Sequence, residues 1–216
     1  MTSPMTAPIP AIEVSNGQHP RARIVSAPER STTRSPDRAE AAVRELLDSL
    51  RIDLQEEDVQ QTPRRVAAMY RELLSPEGFE FTTFANTDGY DELVLVRDIP
   101  FVSLCAHHLL PFTGKAHVGY LPGGRIVGLS KLARAVQYFS RSLQVQERLT
   151  KQVADLIQAE LDPKGVGVVI EAEHQCMTIR GVQAPGTRTV TSTMYGILRD
   201  NPVTRQEFLA LTGIGE

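Results

Sequence analysis

Beyond residue 36, apolar positions recur with two distinct periods. Val43, Leu46, Leu47 and Leu50 stand at i, i+3, i+4 and i+7, the spacing of one face of an amphipathic helix. Val66, Met69, Tyr70, Leu73 and Leu74 repeat that pattern after Thr62-Pro63, which reads as an N-cap followed by proline at the first helical position. Ser75-Pro76 and Gly78 end this second helix, and residues 79–90 read as a loop. The period then shortens. Glu92–Ile99 is rich in apolar and β-branched residues, and Phe112–Leu121 alternates, so both are predicted strands; Pro122-Gly123-Gly124 turns the chain into a short run, RIVGL. Ser130 is the expected cap of a helix carrying KLARAVQYFSRSL, and a further helix is expected from about Val145 to Leu161. Two more strands, Gly165–Ala172 and about Thr187–Met194, precede a last helix opened by Asn201-Pro202 and carrying Phe208, Leu209 and Leu211. Helices, strands, two long helices, strands and a final helix in segregated runs point to an α+β fold with a largely antiparallel sheet.

Residues 1–36 differ in kind. Six prolines and many Ser and Thr fall there without apolar periodicity, which is the composition of a disordered arm. The chain therefore divides into an arm (1–36), an N-terminal helical segment (37–90) and a main domain (91–216). Its formal net charge of −3 supplies no global basic field for nucleic acid or an anionic membrane. No stretch approaches the roughly 18 apolar residues of a membrane span, and no basic-then-apolar leader opens the chain. With two cysteines, Cys105 and Cys176, the composition argues against a disulfide scaffold and favours a cytoplasmic protein with free thiols.

The histidines cluster around those cysteines. His107 and His108 follow Cys105, and His174 precedes Cys176 by two residues. A turn can aim Cys105 and His108 at one ion. Residues two apart in an extended segment share a face, so His174 and Cys176 are expected on one side of a strand end. Two thiolates and an imidazole suit zinc, and three protein ligands leave the open position characteristic of a catalytic site. His107 and His174 would then remain to carry protons. Spacing alone equally allows a closed structural zinc with His107 or His174 as fourth ligand, or small buried thiols without metal. The zinc-deaminase pattern of His-x-Glu with Pro-Cys-x-x-Cys is absent.

Ser130, Lys131 and Arg134 open a predicted helix, where backbone N–H groups favour an anion. Glu147, with Gln146 beside it, opens the next; its carboxylate can accept two hydrogen bonds from an amidine-like edge such as that of guanine, or simply pair with Lys151 one turn on. Arg180 follows Cys176 by four residues, and Arg64 and Arg65 stand at a helix start, where cations oppose the macrodipole.

Taken together, HHLLPFTGKAHVGYLP, GLSKLARAVQYFSR, LQVQERLTKQ, GVGVVIEAEHQCMTIRGV and TVTSTMYG closely resemble GTP cyclohydrolase I, over about Asp37–Leu211. The resemblance implies the tunnelling fold, an antiparallel sheet with helices packed on one side, assembled as a homodecamer with active sites at subunit interfaces. It implies one zinc per subunit on Cys105, His108 and Cys176, and catalytic roles for His107, His174 and Ser130. It implies triphosphate contacts at Ser130, Lys131, Arg134 and Arg180, Arg65 from a neighbouring subunit, and a guanine anchor at Glu147 beside Gln146. The implied reaction opens the guanine imidazole ring, releases formate and rearranges the ribose to give 7,8-dihydroneopterin triphosphate. Ala106 departs from the family pattern, which has Glu there. Alternatives are a paralog acting on another purine triphosphate or stopping at the formamide, and a catalytically weak nucleotide-binding ring subunit.

Overall fold

A computed structural model describes residues 21–26 and 36–214. Five strands form the main sheet, in the order β6 (Leu143–Gln144), β3 (Val94–Cys105), β4 (Pro111–Leu121), β7 (Gly165–His174), β8 (Thr189–Gly196). β3 with β4, β4 with β7 and β7 with β8 are antiparallel, and the two-residue β6 runs parallel to the end of β3. The predicted α+β class with a largely antiparallel sheet is what the chain adopts. Helices α3 (Leu129–Ser140) and α4 (Gln146–Leu161) lie against this sheet. Their apolar stripes, Leu132, Ala135 and Val136 with Leu149, Val153 and Ile157, are fully buried against Phe112, Val118, Val166, Val168 and Ile170. Fully burying one such side chain is worth about 1.5–3 kcal/mol, so this two-layer face dominates the stability of the chain.

The opposite face is covered at one end. α6 (Ile197–Asp200) and α7 (Pro202–Thr212) bring Phe208 against the facing glycines Gly119 and Gly167, which pair across β4 and β7. A Cβ at either glycine would sit 2.7–2.9 Å from the Phe208 ring, so the missing side chains form the slot the ring fills. Asn201 caps α7 as its sequence predicts, its side chain accepting from the Val203 and Thr204 N–H groups.

Three expectations change. Residues 79–90 are not simply a loop: Phe79–Ala85 is strand β2, which pairs with β1 (Arg21–Val25) on one side and β5 (Arg125–Val127) on the other. Phe79, Phe81 and Thr83 alternate inward, but a threonine in the third buried position hides the pattern. β1 lies within the expected disordered arm. Its partners are remote in sequence: β2 by backbone pairing and Glu160 of α4 by an ion pair with Arg23. The rest of that arm lies outside the described residues. Both predicted caps move by one or two residues: Gln61, not Thr62, precedes α2 (Thr62–Leu73), and Gly128, not Ser130, precedes α3, which leaves Ser130 inside the first turn. The first predicted helix is α1 (Pro36–Ser49), and it packs on α2 with Leu46 and Leu50 still exposed.

His117, on β4, is buried, and its Nδ1 accepts from the Asp98 backbone N–H at 3.4 Å. Asp98 stands at a β-bulge with φ +58°, and Lys115 and Arg97 hold its carboxyl down to about 2. Burial pushes the His117 imidazole below its ordinary value, with Arg97 and Lys115 acting in the same direction and Asp98 and Glu171 against it. The unfolded chain therefore takes up a proton near pH 6.5 that the native chain refuses, so stability is lost as pH falls through that value. Urea unfolding at pH 7.5 and pH 5.5 is expected to show a smaller acid loss in His117→Gln than in the native protein, by up to about 1.4 kcal/mol per pH unit. Equal losses would remove His117 as the cause.

Candidate active site

β3 ends at Cys105 and β4 begins at Pro111, and the turn between them is closed by hydrogen bonds. Leu109 and His108 donate their N–H groups to Cys105 O, and Cys105 N–H donates to Leu110 O. Leu109 takes a left-handed φ of +56°, which lets the chain reverse. Ala106 N–H is held by Gln144 O of β6, and Tyr70 of α2 donates its hydroxyl to Leu109 O. The tightness of this turn sets both imidazoles beside the first thiol: Cys105 Sγ lies 3.8 Å from His107 Nδ1 and 3.9 Å from His108 Nδ1.

The second cysteine arrives by a different local route from the one its spacing suggests. β7 stops at His174, and Gln175–Thr178 form a single helical turn, α5, so Cys176 is presented by a helix rather than by an extended strand. Cys105 Sγ, His108 and Cys176 Sγ nevertheless offer ligand atoms that all lie within 4.8 Å of one another. Burial and the neighbouring Cys105 push the Cys176 thiol upward, against a backbone hydrogen bond and the Arg180 charge, which draw it down. Two thiols crowded together with an imidazole have no protein cation among them; a divalent ion would reverse that cost by holding both as thiolates. The donor set therefore fits zinc, as its chemistry predicted.

His174 is anchored on two sides. Its ring stacks on Phe112 at 4.5 Å with an interplanar angle of 3°, because the two residues face each other across β4 and β7. Its Nε2 meets Gln146 Oε1 at 2.8 Å. Burial pushes the imidazole below its ordinary value and the Glu147 carboxylate, one residue along α4, opposes this. Glu147 itself is exposed at the first turn of α4.

The structure thus brings together Cys105, His107, His108, His174 and Cys176, with Gln146, Glu147 and Arg180 at their edge. It does not join the other anion candidates to them within one chain. Ser130, Lys131 and Arg134 sit in the first turns of α3 and Arg65 in that of α2, and none hydrogen-bonds or ion-pairs with the cluster among the described residues. Arg134 instead lines a cavity of about 230 Å³ with Arg141, Gln137, Tyr138, Phe79 and Glu77. Two contributors escaped sequence reading. Phe112 carried only a strand signal, and Tyr70 only a place on a helical stripe.

A family model for GTP cyclohydrolase I matches residues 39–213. The chain belongs to the GTP cyclohydrolase I family. Relatives of the same family name agree over most of its length. A GTP cyclohydrolase 1 of Synechococcus sp. (strain JA-3-3Ab) is 53% identical over 175 residues, covering 79% of this chain and 76% of that protein. Those of Aquifex aeolicus and Carboxydothermus hydrogenoformans are each 50% identical, covering 81% and 82% of this chain and 95% and 94% of theirs. The matched region contains every residue of the Cys–His cluster. Among the described residues no helix is long and apolar enough to cross a membrane.

Cys176→Ala is expected to retain less added zinc than the native chain while keeping its helical circular dichroism, since Cys176 caps no element and lies only partly buried. Metal analysis after dialysis checks this; full zinc occupancy in the variant would exclude Cys176 as a ligand.

Proposed function

We propose that this chain is a zinc-dependent GTP cyclohydrolase I, which converts GTP and water to 7,8-dihydroneopterin triphosphate and formate. The reading is carried by one observation: in a chain of this family, the two cysteines and His108 converge, and two further histidines stand beside them. A zinc ion held by Cys105, His108 and Cys176 would supply a Lewis acid and an acidified water next to the substrate.

The protein's own groups divide the remaining work. Glu147 accepts hydrogen bonds from the guanine edge and fixes the purine. His174, stacked and hydrogen-bonded in place, relays a proton to N7 of the imidazole ring. His107, beside the first thiol, and Ser130 carry protons in the later opening and reclosure steps. Lys131, Arg134 and Arg180, with Ser130, bind the triphosphate, which is not cleaved and so contributes binding energy that orients the base. Arg65 reaches this site from a neighbouring copy. Within one chain the side chains of Arg65, Ser130, Lys131 and Arg134 make no hydrogen bond or ion pair with the Cys–His cluster among the described residues, which supports a site completed between subunits; the homodecamer follows from the family resemblance. The partition into an arm (1–36), helical segment (37–90) and catalytic domain (91–216) and a cytoplasmic setting belong to the same proposal.

Zinc-loaded protein incubated with GTP is expected to release formate and to form a product that becomes a fluorescent pterin on oxidation. Formate without pterin would mean that the chain stops after deformylation. Neither product would overturn the assignment. Glu147→Ala is expected to keep its zinc and to lose about 2–4 kcal/mol of GTP recognition, the scale of a buried charged hydrogen-bond pair, read as a fall in kcat/KM. Unchanged GTP kinetics would remove Glu147 as the anchor.

A further inference from the structure

Gln146 is fully buried at the start of α4, and its side chain is committed at both ends. The amide nitrogen donates to Ile170 O at 3.0 Å, to Thr189 O at 2.9 Å and to Thr191 Oγ1 at 3.1 Å. Two of these are backbone carbonyls, which only accept, so this end of the amide must be the NH2. The Thr191 hydroxyl, 2.6 Å from Thr150 Oγ1, closes the network. Thr150 spends its single hydrogen on Gln146 O at 2.8 Å, so Thr191 donates to Thr150 and accepts from Gln146. Every donor in this buried ring of bonds therefore points one way, and the sense is imposed by backbone carbonyls that cannot reverse.

The consequence falls on His174. Gln146 Oε1, the end left over, can only accept, and it lies 2.8 Å from His174 Nε2. That nitrogen must carry a hydrogen. Phe112 stacking fixes the plane of the ring, and the hydrogen bond fixes its rotation within that plane. We infer that Gln146 is a positioning residue that holds His174 as its Nε2–H tautomer and so reserves Nδ1 for proton exchange with the substrate, rather than a group that recognises the guanine base. Gln146 has no hydrogen left to offer a ligand, since three protein acceptors already share two. Base recognition then rests on the exposed Glu147 next to it. This inference assumes the role proposed above for His174.

The test has two readouts. Magic-angle-spinning NMR of the full chain labelled with 15N-histidine, at pH 8 without substrate, reports which nitrogen of each ring is protonated; His174→Ala identifies the His174 signals. The native protein is expected to show His174 protonated at Nε2 and bare at Nδ1. Gln146→Met is expected to populate both tautomers, to lower kcat about 100-fold and to leave KM for GTP within about threefold. A native His174 protonated at Nδ1 would overturn the inference. So would a raised KM with unchanged kcat, which would make Gln146 a base contact, or a folded variant with the native tautomer and kcat. If Gln146→Met does not fold, the native spectrum decides alone. Should the native protein fail to turn over GTP, the functional proposal falls while the spectrum still decides what Gln146 does.

Discussion

The register of β4 against its two neighbours is the constraint on which the site depends. Phe112 pairs with Ser103 of β3 on one side and with His174 of β7 on the other, so one residue levels the two strand ends that lead into the Cys–His cluster. Cys105 lies two residues beyond Ser103, and Cys176 two beyond His174. Neither cysteine segment could find the other from local preference alone. A slip of one residue between β4 and β7 would turn His174 to the opposite face of the sheet and remove its stacking on Phe112. The deeply buried faces of α3 and α4 make such a slip costly, because it would also expose Val166, Val168 and Ile170. Core packing and the geometry of the Cys–His cluster are thus two readings of the same alignment.

Around that alignment, rigidity is unevenly spread. The Cys105–Leu110 turn is tied by its own backbone, by Gln144 and by Tyr70, and His174 is clamped by a ring and an amide. Of the groups proposed for a large, charged substrate, Glu147, Arg180, Ser130 and Arg134 are exposed and Lys131 is half-buried. Groups that hold a metal or move a proton need ångström-level placement; groups that neutralise phosphates act through longer-ranged fields and tolerate side-chain freedom.

Much of this was legible in the sequence, for identifiable reasons. α4 and β7 announce themselves because one face of the helix and both faces of the strand are apolar, giving unmixed periods. The convergence of Cys105, His108 and Cys176 was legible because cysteine is rare here and each one has histidine neighbours. What stayed hidden depends on remote partners. β1 owes its strand to remote partners, β2 and Glu160 among them, and β2 hides a buried Thr83 among its phenylalanines. Gln146 looks like an ordinary polar residue at a helix start, because the groups that define its role are His174, Ile170, Thr189 and Thr191, 24 to 45 positions away. Cys176 does meet Cys105 and His108, but by another local geometry, since a single helical turn does what an extended segment was expected to do.

The slot formed by Gly119 and Gly167 has a consequence for how this sequence can drift. Any side chain at either position would overlap the Phe208 ring, and a smaller residue at 208 would leave an empty space between sheet and helix. Positions 119, 167 and 208 therefore share one volume among three codons, and a single-step change at any of them meets a penalty that only a matching change elsewhere relieves. The last helix is held in the fold by a steric agreement between residues far apart in the gene, so lineages can leave this arrangement only by crossing a less stable intermediate.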